Sequence, residues 1–115
     1  MSSRSRLIVS WLLMKLYEIL VPASGPGAKF MYEHHKRWDS FVSALAGGVT
    51  VMKAAKGEWY SPSGVLYKDR IIPCKVACTE KQLYQIIDFT IEHYDQEAVM
   101  AYLISEEVII KHRES

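Results

Sequence analysis

Apolar residues recur at two different periods along this chain, and the order in which those periods alternate limits its fold more than any other feature. Residues 15–22, KLYEILVP, alternate at period two, with Tyr17, Ile19 and Val21 on one face, Leu16, Glu18 and Leu20 on the other, and Pro22 closing the run. ASGPGA follows as a loop by composition. From residue 29 to 46 the spacing becomes helical: Phe30, His34, Trp38, Phe41, Val42 and Leu45 form a stripe that ends at Gly47 and Gly48, where a left-handed residue is favoured. Residues 49–61 open with β-branched side chains and predict a second strand, SPSG a turn, and residues 65–78 a third strand. On that third strand Ile72, Cys74, Val76 and Cys78 share the face assigned to the core. Pro73, on the opposite phase, has no N–H for a ladder and predicts a bulge or a free edge. Thr79 and Gln82 then make a capping-box pattern ahead of Leu83, Ile86, Ile87, Ile91 and Tyr94, a second helical stripe. Residues 97–105 predict a fourth strand, and residues 107–112 continue it or form a short fifth.

Strand, helix, strand, strand, helix, strand is the ferredoxin-like βαββαβ order, an α+β fold with a four-stranded antiparallel sheet and both helices on one face. Right-handed crossovers place the first and third strands side by side in the middle. With 115 residues the chain makes one domain, drawn at residues 15–112, with residues 1–14 as an N-terminal extension. The sheet face without helices is expected to carry Tyr17, Ile19 and Val21 together with Met100, Tyr102 and Ile104, too apolar to stay wet. A second copy of the chain, in a trimer or a dimer, is the expected cover. The alternative cover is the extension itself folding back.

Composition narrows the function by exclusion. Lys and Arg number 14 against 13 Asp and Glu and are interspersed with them, so no basic stripe marks a nucleic-acid surface. No run reaches the roughly 20 apolar residues a membrane helix needs, because Lys15 and Glu18 interrupt the N-terminal stretch. Cys74 and Cys78 share a strand face about 13 Å apart, at about 3.3 Å per residue, too far for a disulfide or one metal ion. Free thiols without a disulfide framework favour a reducing compartment, and the expectation is a cytoplasmic protein.

The stretch most suggestive of a site is KGEWYSPSGVLYKDR, residues 56–70, the two arms and tip of a hairpin. Trp59 and Tyr60 must point to opposite faces, so one packs and the other is presented, where it could stack on a flat ligand. On the facing arm Asp69 could anchor an amine or a ribose hydroxyl and Arg70 a carboxylate or phosphate; cross-strand pairing of Lys68, Asp69 and Arg70 with Lys56 and Glu58 is the plainer reading. His34 and His35 diverge by about 100° on a helix and cannot chelate one ion together, so no metal is expected. Gln96 either reads a ligand or closes the end of the second helix. No nucleotide-binding glycine loop or nucleophile triad is present to argue from.

GGVTVMKAAKGEWYSPSGVLYKDR followed by YDQEAVM resembles a family of small bacterial proteins known only as a domain of unknown function, with the pattern Gly-Leu-Thr, Gly-x-Trp, an acidic residue and Gln-Glu-x-Val. Val49 stands where that pattern has leucine. More distantly, the chain is similar to the trimeric ferredoxin-like proteins of the PII signalling and divalent-cation-tolerance type, and within that architecture to phage enzymes that cleave S-adenosylmethionine. That resemblance implies roles for His34 or His35, Trp59, Asp69 and Gln96, with Trp59 in place of the enzymes' tyrosine and Asp69 in place of their glutamate. The combined expectation is a small homo-oligomer that binds a nucleotide-like or adenosyl metabolite between subunits, without a cofactor. Trp59, Glu58, Arg70, Gln96 and His34 are the candidate ligand contacts, and Asp69 with Tyr60 the catalytic candidates. The alternatives are an S-adenosylmethionine lyase and an assembly protein with no small ligand.

Overall fold

A computed structural model describes residues 14–25 and 28–113; the proposed extension lies almost wholly outside the described residues. The first strand, β1, is Lys15–Pro22, followed by two short strands, β2 (Ser24–Gly25) and β3 (Ala28–Lys29), paired with each other. Helix α1 spans Tyr32–Ala46, β4 is Thr50–Val51, β5 is Ala55–Tyr60 and β6 is Leu66–Cys78. Helix α2 spans Glu80–His93 and β7 is Ala101–Ser105. The main sheet runs β4-β6-β1-β7, with β5 continuing the β4 edge of β6, and its β1–β6, β1–β7, β4–β6 and β5–β6 pairs are all antiparallel. The first and third long strands are neighbours at the centre and both helices lie on one face, so the chain has the ferredoxin-like α+β fold.

Local chemistry explains the element boundaries. Gly47 takes φ 87° and returns its N–H to the Ser43 carbonyl at 2.9 Å, ending α1 in the left-handed conformation that a Cβ resists. At the start of α2 the Gln82 N–H donates to Thr79 Oγ1 at 3.2 Å while the Thr79 N–H donates to Gln82 Oε1 at 3.0 Å, a complete capping box. The Gln82 amide also donates to the Leu45 carbonyl at 3.1 Å and so joins the cap to the end of α1. Thr79→Ala is therefore expected to lower unfolding free energy by about 1 kcal/mol, measured by urea denaturation; a loss below a few tenths would show the box to be dispensable.

Pro73 marks a bulge. Val51 opposes Cys74 and Ala55 opposes Ile71, so three residues, 52–54, face only two on β6. The Met52 N–H still reaches the Pro73 carbonyl at 2.9 Å. Proline offers an acceptor and no donor, and the second strand, expected as one run over 49–61, divides at this point into β4 and β5. The fourth strand is shorter than expected, because regular pairing with β1 begins only at Ala101, and residues 107–112 form no strand.

One expectation is reversed. Tyr17, Ile19 and Val21 do not lie on the open face; at 6, 0 and 2 % exposure they are sealed beneath the helices with Cys74, Val76, Trp38, Val42 and Ile86. The register explains it, since Tyr17 opposes Val76 and Ile19 opposes Cys74, and opposed residues share a face. The open face instead takes the other phase of β1, Leu16, Glu18 and Leu20, beside Ile71, Pro73, Lys75 and Ala77 of β6. Met100 and Tyr102 belong there as expected, and the Tyr102 hydroxyl donates to the Glu18 carboxylate.

Candidate functional site: an aromatic arm and a ring cluster

Beyond the base of the sheet, β5 and β6 continue as a two-stranded arm. Gly57 faces Asp69, Glu58 faces Lys68, Trp59 faces Tyr67 and Tyr60 faces Leu66. The tip is closed by the Ser61 N–H on the Val65 carbonyl at 2.9 Å, with Gly64 at φ 85°. Alternation divides the candidate residues. Lys56, Glu58, Tyr60, Lys68 and Arg70 occupy the face continuous with the core side of β6, while Trp59, Tyr67 and Asp69 occupy the face continuous with Ile71, Pro73 and Lys75.

On the second of these faces the side chains touch. The Trp59 indole N–H donates to Asp69 Oδ2 at 2.8 Å, and its ring stacks on Tyr67 with centroids 4.8 Å apart and planes 18° from parallel. Trp59 and Tyr67 remain 46 and 44 % exposed, so the stacked pair is an aromatic platform with its outer ring surfaces open to solvent and a carboxylate at its edge. The opposite face carries an exposed Lys56–Glu58 ion pair at 3.5 Å, of small energetic consequence in solvent, and Tyr60, 70 % exposed. The two catalytic candidates, Asp69 and Tyr60, thus sit on opposite sides of the arm.

His34 and Gln96 lie elsewhere, where the start of α1 meets the end of α2. His34 Nε2 donates to the His93 carbonyl at 2.7 Å and His93 Nε2 donates to the His34 carbonyl at 2.7 Å, and the two rings stack at 3.8 Å. Phe30 stacks on the other side of His34 at 5.1 Å, and the His35 Nδ1 hydrogen-bonds the Tyr94 hydroxyl at 2.7 Å. Burial pushes the Tyr94 phenol up from its ordinary value, with Asp39 adding to the shift. Gln96 closes the turn after α2 by donating to the Tyr94 carbonyl at 2.9 Å. Among the described residues no hydrogen bond or ring contact joins this cluster to the arm platform.

Other features supply no competing chemistry. Cys74 and Cys78 are buried, and desolvation pushes their thiols up to about 12 and about 11, which leaves them protonated and unreactive at neutral pH. Among the described residues no three His, Cys, Asp or Glu side chains converge on a point. No described helix is long and apolar enough to cross a membrane. A groove of about 260 Å³ at the end of α1 is lined by Leu16, Gly47, Val49, Lys75, Ala77 and Ile110, away from both clusters. The sequence reading missed Tyr67 as the partner of Trp59, although the SPSG turn fixes the register that sets them opposite. It also missed His93, which is 59 residues from His34 and has no local signal.

No protein-family model matches the chain, and no curated protein matches it in sequence. Solved structures do match in shape. The periplasmic divalent cation tolerance protein CutA of Archaeoglobus fulgidus superposes with a TM-score of 0.62 at 14 % identity, over 85 % of this chain and 88 % of that one. The divalent cation tolerance protein CutA1 of Thermus thermophilus gives 0.60 at 12 % identity, over 87 % of each chain. CutA1 from the psychrotrophic bacterium Shewanella sp. SIB1 gives 0.60 at 14 % identity, over 88 % and 85 %. At such identities the likeness is one of fold alone: the ferredoxin-like arrangement of strands and helices described above is shared with these proteins.

Proposed function

We propose that the chain assembles with copies of itself through the arm and the open sheet face, and that the cleft so formed holds a small flat metabolite against Trp59 and Tyr67. The observation that carries this reading is the stacked Trp59–Tyr67 pair with Asp69 beside it, on the same side as the apolar residues of the open face. A second copy covering that face would turn an exposed platform into a walled pocket. Asp69 gives one oxygen to the indole and keeps the other for a ligand donor. Arg70 and Lys68 face the other way. A phosphate would therefore meet a carboxylate instead of a cation, and the platform suits an uncharged or cationic heterocycle such as an adenosyl group better than a nucleoside triphosphate.

Two further readings differ in their support. A role confined to assembly is favoured by one fact, that the Trp59 N–H is already satisfied within the protomer and asks nothing of a ligand. A lyase acting on S-adenosylmethionine draws no support from the arm, because Asp69 and Tyr60 cannot reach one substrate from opposite faces of a single hairpin. The buried free thiols fit a reducing cytoplasmic setting.

The test is thermal stabilisation by S-adenosylmethionine, adenosine and ATP in parallel. The expected result is a shift with the first two that exceeds that with ATP, and at least about a fivefold loss of affinity in Trp59→Ala, since stacking is worth roughly 1–3 kcal/mol per base. Asp69→Ala should weaken the adenosyl ligands and improve ATP. No shift with any of the three, in a protein that still self-associates, would leave the assembly-only reading standing and remove the ligand.

A further inference from the structure

The ring cluster between the helix ends has no part in the ligand reading, and its hydrogen bonds dictate a protonation state. A backbone carbonyl only accepts, so His34 Nε2 must carry the proton it offers to the His93 carbonyl. A guanidinium only donates, and Arg37 Nη2 lies 3.2 Å from His34 Nδ1, so that nitrogen must present a lone pair. His34 is thus held as the neutral Nε2–H tautomer by partners on both sides. His93 donates reciprocally to the His34 carbonyl and lies flat on the His34 ring at 3.8 Å. Charging either ring places a cation against a neighbouring imidazole, and charging His34 also sets N–H against N–H at Arg37.

We infer that the reciprocal His34–His93 pair is an acid-released latch between the start of α1 and the end of α2. The charged and titratable groups around it agree. From α1 come Arg37, which opposes a second positive charge, His35, and Asp39, the one acidic group that acts on His35. From the end of α2 come Tyr94, edge-on to both rings at 5.0 Å, and Phe89, stacked on His93 at 5.0 Å. Phe30 contributes an uncharged ring. Burial, reinforced by His34, lowers the His35 proton affinity below its ordinary 6.5 and outweighs the opposing pull of Asp39. The unfolded chain then takes up that proton more readily, so the His35 contribution is complete above pH 6.5 and declines as pH falls below it.

Opening of the latch is transmitted. Phe30 leans on His34 and Tyr94, its N–H reaches the Ala23 carbonyl at 3.3 Å, and the Ala23 N–H holds the Arg70 carbonyl at 2.9 Å, at the base of the arm. Acidification should therefore loosen residues 31–37 and 91–96 first and the arm base second.

Hydrogen exchange of the full chain, corrected for the intrinsic pH dependence of amide exchange, tests this. Between pH 7.5 and 5.0 the opening equilibrium of residues 31–37 and 91–96 should rise at least about threefold, while the centre of β6 stays protected. The His34→Gln/His93→Gln double variant keeps side-chain N–H donors without the pair's own titrating rings and should reduce that rise to what His35 alone supplies; His112→Gln, on an exposed histidine, should leave it intact. Exchange in the native chain that does not rise over this range overturns the latch whether or not the double variant folds. So does a rise spread uniformly over the whole domain, or one that is undiminished in a folded double variant.

Discussion

Trp38→Ala is expected to remove a large share of the protein's unfolding free energy, and a chain of modest stability will not fold with it. Trp38 is 1 % exposed, the largest of the fully buried side chains, and sits on α1 where that helix meets both α2 and the sheet. Truncating a buried tryptophan to alanine costs about 3–5 kcal/mol, against a total of roughly 5–15 kcal/mol for a domain. The indole also ties the helices together, because its N–H donates to Thr90 Oγ1 at 2.8 Å. Thr90 passes its own proton to the Ile86 carbonyl at 2.6 Å, so the hydroxyl keeps a partner when the indole goes. Trp38→Phe, which retains most of the ring and abandons only that bond and some volume, should therefore lose about 1–2 kcal/mol. Thr90→Val is the more instructive partner variant: it strands the indole N–H in a buried site and should cost as much as the phenylalanine replacement or more. Urea unfolding of the three variants orders them, and an alanine variant within about 1 kcal/mol of the parent would show that Trp38 does not pack as described.

What the sequence disclosed follows from how local each determinant is. The Thr79 box, the Gly47 stop and the bulge at Pro73 each depend on the chemistry of one or two residues, and each is found where the sequence places it. The strand order needed only the two periods and the handedness of crossovers. The facing of β1 was a different problem. Both phases of KLYEILVP are apolar enough to be buried, and the choice rests on what β6 sets opposite: Cys74 and Val76 against Ile19 and Tyr17, but Pro73, Lys75 and Ala77 against Leu20, Glu18 and Leu16. Glu18 was the available signal, since a carboxylate at the centre of a phase argues for the wetter side. The functional residues divide along the same line. Trp59 and Asp69 were legible because a hairpin puts near neighbours together, whereas the His34–His93 pair closes over 59 residues and exists only after the helices have docked.

That facing makes the assembly testable with one substitution and its control. Leu20→Lys should leave the protomer folded and break the self-association proposed above. Leu20 is half-buried on the open face, opposite Pro73, where the long lysine stem can lie along the sheet and lift its ammonium into water. In an interface the same ammonium would lose its solvent, and the leucine it replaces would no longer contribute its roughly 1.5–3 kcal/mol of burial. A penalty of about 2.7 kcal/mol at each contact corresponds to about a hundredfold weaker association, enough to take a micromolar oligomer apart in sedimentation equilibrium. Ile19→Lys, one residue away and 0 % exposed, forces the charge under the helices and should abolish folding outright. The pair separates two failures that a single variant would confuse. A folded Leu20→Lys protein that sediments as the parent does would mean that copies meet elsewhere or not at all, and the walled pocket proposed for Trp59 and Tyr67 would lose its second wall. A folded Ile19→Lys protein would mean that β1 faces the other way.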